Sequence, residues 1–149
     1  MKIAIGCDHG GISLKDSVIK AITDNGHEVL DFGTYNTESC DYPDYAYRVA
    51  QSVLSGEAQR GILLCGTGIG MSIAANKVKG IRCGHVTDVF SAQMTAEHNN
   101  ANIIAMGGRI TDAETAYQIV TTYLAGKFAG GRHQNRLDKV TKLENGEAL

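Results

Sequence analysis

The chain has 149 residues, 43% of them apolar and 20% charged, and a net charge of −2. This length and composition are typical of one globular domain, which we expect to span residues 1–149. The small net charge gives no reason to expect a nucleic acid or an anionic membrane as a partner. No apolar run approaches the roughly 20 residues that cross a bilayer, and the apolar N-terminus is too short for a signal peptide, so we expect a cytoplasmic protein.

Short β-branched segments alternate with amphipathic segments along the whole chain. The predicted strands cover residues 3–6, 28–32, 61–65, 80–85 and 102–106. Apolar spacings of three and four predict helices over 12–25, 45–54, 70–77, 89–98, 113–124 and about 134–143. Strands separated by helices favour an α/β fold in which a parallel sheet carries helices on both faces. Ligands bind such sheets at the carboxyl ends of the strands.

Polar residues follow the first predicted strand directly. Asp8 can accept hydrogen bonds from sugar hydroxyls, and His9 can contact a phosphate. Gly10 and Gly11 then open the first helix, which suits a loop that grips a polar ligand. The alternative is that Asp8 only caps this helix.

The third predicted strand ends at Cys65 and leads into a glycine-rich loop. Gly66, Gly68 and Gly70 stand at alternate positions before a helix, an arrangement that exposes backbone N–H groups to an anion. A cysteine here would have its thiolate favoured by the helix dipole. The glycine spacing differs by one position from the dinucleotide-binding pattern, and no Gly-Lys-Ser/Thr follows, so neither a dinucleotide fold nor a P-loop is supported.

Three further segments carry ligand-binding chemistry. His98 and its flanking amides at 97–100 could handle a sugar ring oxygen, or could be a solvated helix end. Arg109 follows the fifth strand, where it could contact an anion. Arg132 and Arg136, four apart, would share a helix face and could bind one phosphate; the alternative is a solvated basic helix end. We expect these segments, like the first two, at the carboxyl edge of the sheet.

The four cysteines form no Cys-x-x-Cys pair, which excludes a zinc knuckle and a thioredoxin-type motif. Cys7 and Cys83 lie at strand ends, where we expect small buried hydrophobic residues. Asp8, His9 and His98 have side chains that can ligate metals, but no compact motif such as His-Glu-x-x-His is present. We therefore predict no metal and no cofactor.

Seven segments, taken together and in order, resemble the ribose-5-phosphate isomerase type B family, which includes the galactose-6-phosphate isomerase subunits. They are Gly6-Cys7-Asp8-His9, Asp41-Tyr42-Pro43, Cys65-Gly66-Thr67-Gly68-Ile69-Gly70, Ala74-Ala75-Asn76-Lys77, His98-Asn99, Gly107-Gly108-Arg109 and Gly131-Arg132-His133-Gln134-x-Arg136. The resemblance implies a three-layer α/β/α sandwich, Rossmann-like, with a five-stranded parallel sheet. It also implies a homodimer with active sites at the subunit interface, and leaves open a dimer of such dimers.

The activity implied by the resemblance is interconversion of ribose 5-phosphate and ribulose 5-phosphate, in the non-oxidative pentose phosphate pathway. Cys65 would be the base, because Met71 and Ser72 stand where other members carry a glutamate. Thr67 would move protons between the substrate oxygens, and His98, aided by Asp8, would open the furanose ring.

The resemblance also assigns the binding residues. The phosphate would be held by His9, Arg109, Arg132 and Arg136. Tyr42 and Asn99 would line the sugar site, and some of these side chains would come from the neighbouring subunit.

Three alternatives remain open. The nearest keeps the chemistry and changes the substrate to a six-carbon sugar phosphate, such as allose 6-phosphate or galactose 6-phosphate. A second is a nucleotide-binding module that uses the glycine loop. A third is a thiol-transfer protein centred on Cys65, against which the lack of a resolving cysteine nearby in sequence counts.

Overall fold

The computed structural model describes residues 1–149 and contains one sheet of five parallel strands between two layers of helices. The strands are β1 Lys2–Cys7, β2 Glu28–Asp31, β3 Arg60–Cys65, β4 Cys83–His85 and β5 Ile103–Gly107. The helices are α1 Lys15–Asp24, α2 Tyr42–Leu54, α3 Ile69–Asn76, α4 Val89–Glu97, α5 Ala113–Ala125 and α6 Arg132–Glu144, with a short 3-10 helix at Ile12–Leu14. No helix has both the length and the apolar character needed to cross a membrane.

Every predicted strand and helix is confirmed, and the differences lie at their ends. Strand β4 is three residues long, shorter than predicted, because the preceding residues form a turn. The Asn102 side chain holds that turn, accepting from Arg82 N at 2.8 Å and donating to Gly80 O at 2.9 Å. Helix α2 begins at Tyr42, earlier than predicted, with Pro43 in its first turn, where a missing N–H costs little.

The two faces of the sheet are buried in separate apolar clusters. Along β3, Ile62 and Leu64 point into the larger cluster, which α1, α4 and α5 cover. Leu63 and Cys65 point into the smaller cluster, beneath α2 and α3. This alternation follows from the two-residue period of a strand. It places the Cys65 side chain on the α2 and α3 side of the sheet.

The strand order is β2-β1-β3-β5-β4. From β1 the chain moves outward to β2, then crosses back to β3 on the other side of β1. Such a reversal opens a crevice at the carboxyl ends of the two strands, which is where open parallel sheets bind ligands. Cys7 in β1 pairs with Leu64 in β3, and Cys65 pairs with Gly107 in β5. The residues that follow these three strands therefore meet at one edge.

A substitution at Gly11 would test how closely these loops must pack. A methyl group at Gly11 would lie 2.4 Å from the Leu64 carbonyl carbon and 2.7 Å from Cys65 N. We predict that Gly11→Ala lowers the free energy of unfolding by about 2 kcal/mol or more, because rigid backbone cannot yield to the added atom. Urea denaturation measures the change. The exposed-site control Ser39→Ala should remain within about 0.5 kcal/mol of wild type. A Gly11→Ala protein as stable as that control would contradict the prediction.

Candidate active site

The loops after β1, β3 and β5 form one continuous floor. Asp8 N donates to Leu64 O at 3.0 Å, and Gly108 N donates to Cys65 O at 2.8 Å, which extends the strand pairing beyond the sheet. The first and last loops also touch, since a methyl group at Gly108 would lie 2.5 Å from Gly10 O. Glycine is required at such a contact because any side chain would separate the backbones.

Cys65 lies at the centre of this floor and is 5% exposed. Its Sγ accepts a hydrogen bond from the backbone N–H of Gly68 at 3.1 Å. Helix α3 begins at the next residue, Ile69, and Gly68 takes the left-handed conformation with φ of 81° that the turn into this helix requires. The amide and the helix N-terminus both present positive partial charge to the sulfur. The sulfur therefore has a hydrogen-bond donor and a helix N-terminus beside it.

The other two strand-end cysteines have different surroundings. Burial raises the pKa of the Cys7 thiol to about 11 and that of the Cys83 thiol to about 12. Cys7 is fully buried, as expected, whereas Cys83 is only partly buried by surface area. Both remain protonated thiols at neutral pH, which suits their predicted packing role.

Thr67 stands at the exposed tip of the glycine loop. Its Oγ1 accepts from Ile69 N at 3.2 Å, and its backbone carbonyl oxygen accepts from His85 Nε2 at 2.8 Å. The hydroxyl therefore lies at the start of α3, one residue from the amide that contacts Cys65.

Asp8 is buried, and one of its carboxylate oxygens already has partners. Oδ1 accepts from Gly10 N at 2.8 Å and from Gly11 N at 3.2 Å. These bonds close the turn before the 3-10 helix, but no side chain caps that helix or α1, so the alternative of Asp8 as a helix cap is wrong. Oδ2 takes no part in these two bonds.

His9 is half-buried beside the loop that carries Cys40. Its Nδ1 accepts from the Cys40 backbone N–H at 3.3 Å. Because Nδ1 accepts in this contact, Nε2 is the ring nitrogen that can act as a donor. His9 therefore offers a hydrogen-bond donor on the ring atom that faces away from Cys40.

Two side chains enclose the glycine loop. The Tyr42 ring lies against Gly70, where a methyl group would be 2.8 Å from Cζ. The Arg109 guanidinium lies against Gly66, where a methyl group would be 3.0 Å from Nη1. The predicted residues Asp8, His9, Tyr42, Cys65, Gly66, Thr67, Gly68, Gly70 and Arg109 are thus brought together at the carboxyl edge.

The remaining predicted residues lie at the opposite edge, and the expectation of one shared edge is wrong for them. Helix α4 returns the chain to the amino end of the sheet, so His98 and Asn99 precede β5. A five-residue strand such as β5 spans roughly 16 Å. Arg132 and Arg136 are at this end too, because Ala129, just ahead of α6, donates its N–H to Glu97 O at 2.9 Å, at the end of α4.

His98 is held by two residues to which the sequence assigned no role. The His133 ring stacks on the His98 ring, with centroids 4.1 Å apart and planes inclined by 12°. Arg82 donates from Nε to Asn99 O at 3.2 Å and from Nη2 to Asn100 O at 2.9 Å, which fixes the turn after His98. The sequence does contain a signal that could have indicated His133 as a functional residue, because it lies between two arginines at the start of a helix.

The amino edge also has a cavity of about 500 Å³ between α6 and the β4 side of the sheet. Its walls include Arg82, Cys83, Asn99, Leu137 and Val140. It lies next to Asn99 and away from Cys65. No three of the histidine, cysteine, aspartate and glutamate side chains lie close enough together to hold a metal ion.

A family model described as ribose/galactose isomerase matches residues 3–140, which is nearly the whole chain. The chain belongs to this family.

Relatives and solved structures agree with this membership. The family member from Escherichia coli named ribose-5-phosphate isomerase B is 46% identical over 96% of each chain. A Pectobacterium atrosepticum protein named D-erythrulose-4-phosphate isomerase is 42% identical over 99% of this chain and 97% of its own. The structure of Clostridium thermocellum ribose-5-phosphate isomerase B superposes with a TM-score of 0.95 at 50% identity, covering 98% of this chain and 99% of that one.

In this member of the isomerase family, His133 makes stability depend on pH. Burial, and then the nearby charges of His98, Arg132 and Arg136, lower the pKa of His133 below its ordinary value of 6.5. As the pH falls through that value, the unfolded chain takes up a proton that the folded chain resists, so stability is lost on acidification. We predict that the thermal midpoint falls between about pH 7 and about pH 5, and that His133→Gln reduces this slope.

His27, whose pKa is also lowered by burial, provides the control. His27→Gln should remove a separate part of the dependence of the thermal midpoint on pH. The effects of His27→Gln and His133→Gln should add, because the two residues are distant in the fold. A slope that is unchanged in His133→Gln would contradict the prediction.

Proposed function

We propose that this protein is an aldose–ketose isomerase that interconverts ribose 5-phosphate and ribulose 5-phosphate. The observation that carries the proposal is the Cys65 sulfur, 3.1 Å from the Gly68 amide at the base of the glycine loop, in a member of a sugar-phosphate isomerase family. The Escherichia coli relative, named for this substrate, supports the choice of a five-carbon sugar.

The isomerisation moves one hydrogen between neighbouring carbons. The Cys65 thiolate takes the proton from C2 of the open-chain aldose, and the electron pair of that C–H bond forms the C1–C2 double bond while O1 gains the negative charge. The Thr67 hydroxyl passes the O2 proton to O1. C1 then takes the proton back from the Cys65 thiol, which leaves a carbonyl at C2. Within 66–70 the amides of Gly68 and Ile69 already donate to Cys65 and Thr67, so the other amides of this loop stabilise the enediolate between these steps.

The aldose needs a further step because it is a ring. Opening the furanose requires a proton for the ring oxygen O4 and the removal of one from the O1 hydroxyl. We assign the first to His98 and the second to Asp8, whose Oδ2 is not occupied by the turn. In ribulose 5-phosphate the C5 oxygen carries the phosphate, so this sugar cannot close the corresponding ring. The ring step therefore serves only the aldose.

The two edges of one chain cannot act on one sugar, because about 16 Å of sheet separates them. A two-fold dimer solves this if the carboxyl edge of one subunit faces the amino edge of the other, and it then forms two identical sites. Exposed apolar side chains on the two helices that follow β3 and β4 support such an interface. Ile69 and Ile73 on α3 are 49% and 55% exposed, and Phe90 at the start of α4 is 70% exposed.

The phosphate would then be held from both subunits. His9, through its Nε2 proton, and Arg109 contact it from the carboxyl edge. Arg132 and Arg136 of the partner subunit, four residues apart on an exposed helix face, contact it from the other side. Tyr42 and the partner subunit's Asn99 line the sugar between these contacts.

The Cys65 proposal predicts a specific loss of turnover. Purified protein in chelator-containing buffer should form ribulose 5-phosphate from ribose 5-phosphate, and Cys65→Ala should lower kcat by about a thousandfold, because a positioned base contributes factors of that order. Ligand-induced thermal shifts should persist in the variant. The matched control is Cys83→Ala, which removes a thiol of raised pKa and should leave kcat unchanged.

Each outcome decides a separate part of the proposal. Undiminished turnover in Cys65→Ala would contradict its role as the base. A wild-type protein inactive on ribose 5-phosphate would contradict the substrate. Erythrulose 4-phosphate, allose 6-phosphate and galactose 6-phosphate are the next substrates to assay, the first because a relative is named for it.

A further inference from the structure

One peptide group in the glycine loop is held at both of its polar atoms. The Thr67 carbonyl oxygen accepts from His85 Nε2 at 2.8 Å, and the next N–H, that of Gly68, donates to Cys65 Sγ at 3.1 Å. This peptide bond is trans, so its C=O and N–H point in opposite directions. A single rigid plane therefore links the His85 imidazole to the Cys65 sulfur.

His85 is itself held firmly. It is the last residue of β4 and pairs with Ala105 of β5. Its ring packs on the loop, since a methyl group at Gly68 would lie 2.9 Å from His85 Cδ2. Strand β4 is an edge strand, and the Asn76 side chain secures it by accepting from Cys83 N at 2.7 Å and donating to Cys83 O at 2.9 Å. The backbone that carries the exposed imidazole is thus held beside the loop.

The conformation of the loop explains why the contact of His85 with the Thr67 carbonyl affects Cys65. Gly68 has a φ of 81°, and glycine has no side chain that would favour one orientation of the preceding peptide. A rotated peptide would turn the Thr67 carbonyl oxygen toward the Cys65 sulfur and would repel a thiolate. The hydrogen bond from His85 favours the orientation in which the N–H faces the sulfur. Donation to the carbonyl also polarises the amide and strengthens its N–H as a donor.

We propose that His85 is a positioning residue for Cys65, which acts through the Thr67–Gly68 peptide to keep an N–H donor on the cysteine thiolate. The inference deepens the proposed function, because it concerns the proposed base. The coupling between the two residues is nevertheless measurable without any substrate.

Two variants of His85 separate the hydrogen bond from the packing. His85→Phe keeps a ring against Gly68 and removes the donor, whereas His85→Gln keeps an N–H donor at a similar reach. Alkylation of Cys65 by iodoacetamide, followed at each cysteine by mass spectrometry across a pH series, reports how readily the thiolate forms. Asp8 and Arg109 on the neighbouring loops are unchanged in all three proteins, so their charges do not distinguish them.

We expect the midpoint of the Cys65 alkylation profile to move up by about one pH unit in His85→Phe and to return most of the way in His85→Gln. With ribose 5-phosphate, kcat should fall about tenfold in His85→Phe, while KM stays within about twofold. Equal midpoints in wild type and His85→Phe would overturn the inference. If the midpoint moved by the same amount in His85→Phe and His85→Gln, the hydrogen bond donated by His85 would not be its cause, and the proposed role of this donor would be overturned.

The result is separable from the proposed function. A wild-type protein inactive on sugar phosphates, but with the midpoint displaced in His85→Phe alone, would reject the isomerase and retain the coupling. A protein that isomerises ribose 5-phosphate, but whose Cys65 alkylation midpoint is the same in wild type and in His85→Phe, would retain the isomerase and reject the coupling of His85 to Cys65.

Discussion

The close approach of the loops after β1, β3 and β5 determines where the candidate catalytic groups at the carboxyl edge lie. These loops touch through backbone atoms, and methyl groups at Gly11 and Gly108 would lie within 2.5 Å of neighbouring backbone. The parallel register aligns the ends of β1 and β3, so Asp8, which follows β1, and Cys65, which ends β3, lie at the same edge. The glycines are therefore a condition for the site, since larger residues would separate the carboxylate from the sulfur.

The elements were predictable from sequence because apolar periodicity is a local property. Strand order was not, since it depends on pairing between distant segments. Asp8, Cys65 and Arg109 were placed correctly because each ends or closely follows a strand. His98 was placed at the wrong edge because it precedes a strand, and its stacking on His133 is a tertiary contact that no spacing encodes. His85 ends a predicted strand, so the rule that indicated Cys65 also applied to it.

The cysteines show that residues of one type have different chemical properties in different surroundings. Cys7 and Cys83 are desolvated thiols whose pKa values are raised to about 11 and about 12. Cys65 is buried too, but its sulfur receives an amide N–H and lies just before the start of a helix. Burial without such a donor disfavours the charged form of a thiol. The peptide that supplies the donor is thus as important to the proposed chemistry as the sulfur itself.

The central claim is that each active site combines the carboxyl edge of one subunit with the amino edge of another, and subunit complementation tests it most directly. Cys65→Ala and His98→Ala proteins, each inactive alone, would be unfolded together and refolded as a mixture. Random pairing should restore about a quarter of wild-type turnover, because half of the dimers would be mixed and one of their two sites intact. A mixture of Cys65→Ala with Asp8→Ala, both at the carboxyl edge, should stay inactive. Failure of the first mixture to regain activity, while wild-type protein refolds to full activity, would contradict the shared site.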